Sequence, residues 1–99
     1  MSAINGTATP RDGYFVSFSA SKLSARFGCN SIGGEYRIAR DVLIANDVAS
    51  TLMGCPEPAA TLEQAGLRVF EYPANIVWHG EQRMVLRGGG GAIELERTP

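Results

Sequence analysis

Apolar and polar residues alternate through most of the chain, and a helical period replaces the alternation only once. YFVSFS (14–19) and LSARFGC (23–29) carry the two-residue period and the β-forming residues of half-buried strands. A hairpin turning at Ala20-Ser21 sets Phe18 opposite Leu23, Val16 opposite Ala25 and Tyr14 opposite Phe27, so each pair is apolar on both sides. A slip of one residue destroys the match, because strand side chains alternate faces. Cys29 continues the inward set, while Ser24 and Arg26 face out. NSIGG (30–34) reads as a connection, since Asn and Gly tolerate the dihedral angles of tight turns. EYRIA (35–39) alternates again, with Tyr36 and Ile38 inward. RD (40–41) reads as a turn, VLIA (42–45) as a short strand and ND (46–47) as a second turn. VASTLMGC (48–55) reads as a strand with Ala49, Thr51, Met53 and Cys55 on one face and Val48 and Leu52 on the other.

The helical stretch is PEPAATLEQAGLRVFEY (56–72), in which Ala59, Leu62, Gly66, Val69 and Phe70 form one stripe. Pro56 and Pro58 suit a first turn, and Glu57 suits its positive end. Thr61 and Gln64 have capping-box spacing, which would start the helix later. Gly66 weakens it by about 1 kcal/mol relative to Ala, and Pro73 ends it. A meander follows: NIVWHG (75–80), RMVLR (83–87) and AIELER (92–97), the last two flanking GGGG (88–91) as a hairpin tip. Pairing Arg87 with Ala92 puts Leu86 against Ile93 and Met84 against Leu95 inside, with Arg83 against Glu96 and Val85 against Glu94 outside. Seven or eight short strands and one helix predict a mainly β domain spanning residues 1–99. The architecture is a small antiparallel barrel or closed sandwich whose helix covers an open end.

Composition removes several function classes. Nine basic and ten acidic residues among 99 nearly cancel, which gives no basic face for nucleic acid and no polybasic run for an anionic membrane. No apolar run approaches the roughly 18 residues of a spanning helix. The start, MSAINGTATPRDG, is polar and turn-rich and is not a signal peptide. That fits a cytoplasmic protein, and it equally fits a chain that starts after its signal.

The chemistry-bearing residues resist assembly into an active site. Gly28 and Gly33 have P-loop spacing, but Gly34 and Glu35 stand where the Lys and the Ser or Thr belong, and strands rather than a helix follow. The glycine tip also lacks a helix N-terminus behind it. A cysteine nucleophile needs a nearby base; the one histidine, His79, falls in a turn after Trp78. Cys29 points inward, where cysteines behave as inert small hydrophobes, and Cys55, before Pro56 at a helix start, is the better nucleophile. One His and two distant Cys do not make a zinc site. Glu57, Glu63, Glu71, Glu94 and Glu96 fall mostly on outer faces and read as solvated rather than as a catalytic pair. Catalytic residues, cofactor and metal are therefore expected to be absent. Cys29 and Cys55 remain open between a disulfide, which would contribute roughly 3–4 kcal/mol on the chain-entropy model, and two packed thiols.

GCNSIGGEY, then TLMGCP, then LEQA, together resemble the META domain family, to which the bacterial heat-shock protein HslJ belongs. The first family pattern is matched by Gly28, Cys29, Asn30, Gly34 and Tyr36. The second is matched by Thr51, Met53, Cys55 and Pro56, and the acidic helix position by Glu63. INGT (4–7) looks like the family's opening strand. A Trp usual before that strand is missing, which reads as a chain trimmed at its N-terminus. The resemblance implies structural roles for these residues: Asn30 for a corner, Gly34 for backbone freedom, Thr51 and Met53 for packing. It implies no established catalysis, and it places relatives in the cell envelope, many as lipoproteins, so the periplasm or outer membrane is the expected location.

Three readings follow. The first is a non-enzymatic envelope or stress-related module that binds a protein, peptide or cell-wall component. Its interaction face would combine Tyr72 and Trp78 with Arg83 and Arg87, against the plainer reading of Trp78 as core. The second is a small-molecule-binding barrel, disfavoured because inward Phe18, Phe27, Tyr36, Met53 and Met84 leave little room. The third is a cysteine-dependent redox or hydrolytic protein.

Overall fold

A computed structural model describes residues 1–10 and 12–97. The elements in chain order are β1 (Ala3–Ile4), β2 (Thr7–Ala8), β3 (Tyr14–Phe18), β4 (Lys22–Phe27), β5 (Ser31–Ala39), β6 (Val42–Ser50), α1 (Ala59–Phe70), β7 (Ala74–His79), β8 (Arg83–Gly88) and β9 (Gly91–Glu96). The strands form one antiparallel sheet in the order β2-β1-β9-β8-β7-β6-β5-β4-β3. The class is the expected one, mainly β with a single helix. Among the described residues the strands number nine, and the sheet is a curled half-barrel.

Cross-strand apolar matching sets two of the registers. Tyr14 pairs with Phe27, Val16 with Ala25 and Phe18 with Leu23; Leu86 pairs with Ile93, Met84 with Leu95 and Arg83 with Glu96. Arg83 Nη2 donates to Glu96 Oε1 at 3.1 Å. Val85 pairs with Glu94 on the outer face as its alternation requires, yet it is only 6% exposed.

Three boundaries differ from the sequence reading. Residues 31–34 are strand, not connection: Ile32 is buried opposite Ala25, and Gly33 and Gly34 pair with Ser24 and Leu23. The corner is confined to Gly28–Asn30, where Gly28 takes φ +89°. Asn46-Asp47 does not turn the chain, because β6 continues through it to Ser50. The register shifts there, with Asp47 and Val48 facing the single residue Gly34, and Asp47 takes φ +53°. Turn-forming residues here make a bulge, which bends the strand without ending it. VASTLMGC is strand only to Ser50; Thr51–Pro56 is an irregular loop. Gly34 needs space rather than freedom of φ, since a Cβ there would lie 3.0 Å from Val48 Cγ2.

Helix α1 starts at Ala59 with Pro58 as its N-cap residue and no side-chain cap from it. Glu57 serves instead: its carboxylate accepts from the Thr61 amide at 2.9 Å and the Thr61 hydroxyl at 2.8 Å. Those two hydrogen bonds hold the Glu57 carboxyl below its ordinary pKa. The expected stripe is buried, and Glu63 joins it. The helix packs against β9, β4, β1, β6 and β8. Its small Gly66 meets Phe27, where an added Cβ would come within 2.6 Å of the ring. Phe27, Ile4, Val69, Leu86 and Ile93 are almost fully enclosed around this contact. The glycine tip turns against the helix's far end, where a side chain at Gly90 would overlap the Arg68 carbonyl.

Candidate functional site

The half-barrel has two differently built regions, and the motif residues divide between them. The first surrounds the corner after β4. Cys29 and Cys55 are joined by a disulfide with a Cα–Cα distance of 6.0 Å; of the two alternatives for the sulfurs, the bridge is the one formed. Asn30, 4% exposed, is the centre of the polar contacts. Its amide donates to Glu63 Oε1 at 2.9 Å, and Nδ2 donates to Glu63 Oε2 at 2.8 Å. Nδ2 also lies 3.3 Å from the Met53 carbonyl and 3.2 Å from Cys55 Sγ. Oδ1 accepts from the Met53 amide at 2.7 Å and the Thr51 hydroxyl at 3.0 Å. Thr51 Oγ1 accepts in turn from the Ser31 amide at 3.0 Å.

One asparagine thus fastens the corner, the loop after β6 and the helix to each other. Glu63 is a buried partner, not a solvated carboxylate. Its position was readable: it lies four residues after Ala59 and three before Gly66, on the buried stripe. Thr51 acts through its hydroxyl rather than by packing. Met53 is held by its backbone and is 55% exposed, and Leu52 is 94% exposed. Pro56 ends the loop before the helix, its carbonyl accepting from the Ala60 amide. Among the described residues no buried side-chain nitrogen or oxygen lacks a partner. Each buried polar side-chain atom of the hub thus has a partner within the protein, and none is left to be met only by a substrate. No hydrogen bond joins either sulfur to His79, which stands opposite Arg83 in the β7–β8 ribbon.

The second region is a cleft of about 670 Å³ in the concave face, lined by no residue of α1. Leu43, Leu86 and Leu95 floor it. Phe18, Tyr36, Ile38, Ile76, Trp78 and Met84 form its walls, and Arg40, Asp41, Glu96 and Arg97 lie around its mouth. Phe18 and Tyr36 stack edge to face, with centroids 5.2 Å apart, and the Tyr36 hydroxyl donates to the Ser19 carbonyl. The Arg97 guanidinium carbon lies 5.7 Å from the Trp78 ring centre. Ile38 was expected inside and is 54% exposed; Trp78, for which a core position was the plainer reading, is 53% exposed. Both point to the concave side, but the sheet does not close over them. The expectation of little interior room fails for the same reason: Phe18, Tyr36 and Met84 line an open cleft, and Met53 lies outside it.

The interaction face expected from Tyr72, Trp78, Arg83 and Arg87 is not one surface. Trp78 stands opposite Met84, with the inward set, while Arg83 faces His79 and Glu96, and Arg87 faces Asn75 and Ala92, on the outer side. Tyr72 lies against Gly89 beyond the helix. Of the four, only Trp78 reaches the cleft.

Sheet, helix, disulfide-linked hub and open cleft define a small mainly β half-barrel domain. The chain belongs to the META domain family, whose model matches residues 1–98. No curated protein matches it in sequence. Its backbone is similar to that of a protein solved by NMR, with 20% identity and a TM-score of 0.79 over 95% of this chain and 82% of the other. A protein from Burkholderia xenovorans, also solved by NMR, is similar with 23% identity and a TM-score of 0.69 over 92% of this chain and 70% of the other. At these identities the likeness is one of fold.

Proposed function

We propose that the protein is a non-enzymatic binding module of the cell envelope and that its binding site is the open cleft. The observation that carries this reading is the cleft itself: about 670 Å³, walled by aromatic and aliphatic side chains with a few polar groups at its mouth. Small-molecule sites have this character and typically enclose about 300–1,000 Å³. The cleft favours a small ligand or a short apolar segment of an envelope component over a broad protein interface. The Cys29–Cys55 disulfide supports an oxidising compartment, where such bridges persist, and thus a periplasmic or outer-membrane-associated setting. No helix among the described residues is long and apolar enough to cross a membrane.

The protein carries one tryptophan, and it lies in the cleft, so its fluorescence reports on occupancy. An uncharged solvatochromic dye such as Nile red is expected to bind saturably and to accept excitation energy from Trp78. Ile38→Glu places a charge in the wall and should abolish that transfer without changing the thermal melt. Dye binding that survives Ile38→Glu at full strength would move the site elsewhere. For the setting, cells fractionated with thiols blocked at lysis should yield the bridged form outside the cytoplasm; a reduced cytoplasmic pool would remove the envelope assignment.

A further inference from the structure

Taking the cleft as the binding site, we infer that its ligand is a single-chain amphiphile with an anionic head group, of the fatty-acid kind. The lining is graded. Leu86, Leu43 and Leu95 at the floor are 0%, 2% and 8% exposed, whereas Phe18, Ile38 and Trp78 towards the mouth are 36%, 54% and 53% exposed. No charged group lines the floor, so a hydrocarbon chain directed inwards buries apolar surface without stranding a charge.

The mouth has four charged residues, and they are not equivalent. Glu96 has its carboxylate engaged by Arg83 at 3.1 Å, which leaves Arg40, Asp41 and Arg97 to face a ligand. The balance is positive, with Arg40 in the β5–β6 turn and Arg97 after β9. Arg97 is held over the Trp78 ring, and its planar fork suits a carboxylate. Trp78 thus contributes to the apolar wall and positions the cation above it. A neutral chain uses the floor alone, a cationic amphiphile meets two arginines, and an anionic one complements both regions.

The test is titration of the intact protein with octanoate, decanoate and dodecanoate below their aggregation thresholds, read by Trp78 fluorescence and by calorimetry. Burial predicts about fifteenfold tighter binding per two-carbon step, the ratio to which ~0.8 kcal/mol per methylene converts. Dodecanol, matched in chain length, should bind more weakly than dodecanoate. Arg97→Gln and Arg40→Gln should each lower dodecanoate affinity about two- to fivefold, as exposed ion pairs do, and leave dodecanol unchanged. Asp41→Asn should raise dodecanoate affinity. Thermal melts confirm that each variant is folded. Equal affinity for dodecanoate and dodecanol, or arginine variants without effect, overturns the anionic-amphiphile assignment while Nile red binding keeps the cleft as the site. If neither Nile red nor any member of the series perturbs Trp78, both readings fall.

Discussion

The two ends of the concave face use similar residues to opposite effect. At the helix end, Phe27 is fully enclosed against Gly66 and Phe70, and the Asn30–Glu63 contacts and the disulfide seal the corner beside it. At the cleft end, Phe18, Ile38 and Trp78 keep a third to a half of their surface in water. Both sets come from the same alternating strands. What differs is whether a second layer covers them: α1 spans one end and leaves the other open. A small domain has few core residues, and here they gather under the helix. The cleft floor, Leu43, Leu86 and Leu95, belongs to that core, but its exposed wall of Phe18, Ile38 and Trp78 adds little to stability and can remain available for a ligand.

The largest test of this division is Phe27→Ala. Removing the ring from beneath the helix should cost about 3–5 kcal/mol in denaturant unfolding, and a loss below about 1 kcal/mol would mean that the helix end is not the centre of stability. Opening the disulfide comes next. A Cys29→Ala/Cys55→Ala double variant frees a loop with a sequence separation of 26, and its unfolding free energy should drop by about 3–4 kcal/mol. The wild type should lose a comparable amount in reductant, and a denaturation midpoint unmoved by dithiothreitol would contradict the bridge. Third, Asn30→Ala strips partners from the Glu63 carboxylate and the Met53 amide, at a cost of about 1–3 kcal/mol. Hydrogen exchange should accelerate at Met53 more than at Leu86; uniform acceleration would show that Asn30 does not fasten this loop in particular. Smallest is Ile38→Ser in the cleft wall, which should alter stability by no more than about 0.5 kcal/mol while weakening Nile red binding. A large loss of stability there would merge the two regions into one core.

The residues that proved hardest to place are those whose role depends on distant partners. Leu23, Ala25 and Phe27 are buried as their alternation requires, because a strand's two faces follow from local geometry. Asn46-Asp47 has the composition of a turn, but composition does not separate a turn from a bulge; the neighbouring strand decides. Glu63 was read as solvated because carboxylates usually are. Its burial is made tolerable by Asn30, 33 positions earlier in the chain. The motif residues were visible as a set, yet their division was not. Asn30, Thr51, Met53 and Cys55 meet at the hub, while Tyr36, on the strand that leaves the same corner, ends in the cleft wall.

The amino-acid sequence alone determined the β class, the β3–β4 and β8–β9 registers, the single helix and its buried stripe. Each is fixed by a short-range period or by matching between strands adjacent in the chain. Tertiary structure alone decided that the sheet curls into a half-barrel without covering Ile38 and Trp78, that Asn30 meets the Glu63 carboxylate, and that Trp78 and the two arginines Arg83 and Arg87 part to opposite faces. Sheet curvature accumulates from twist and bulges over many strands, and the reach of a helix across it depends on packing between residues far apart in the chain. No local pattern encodes either quantity, and together they produced the cleft.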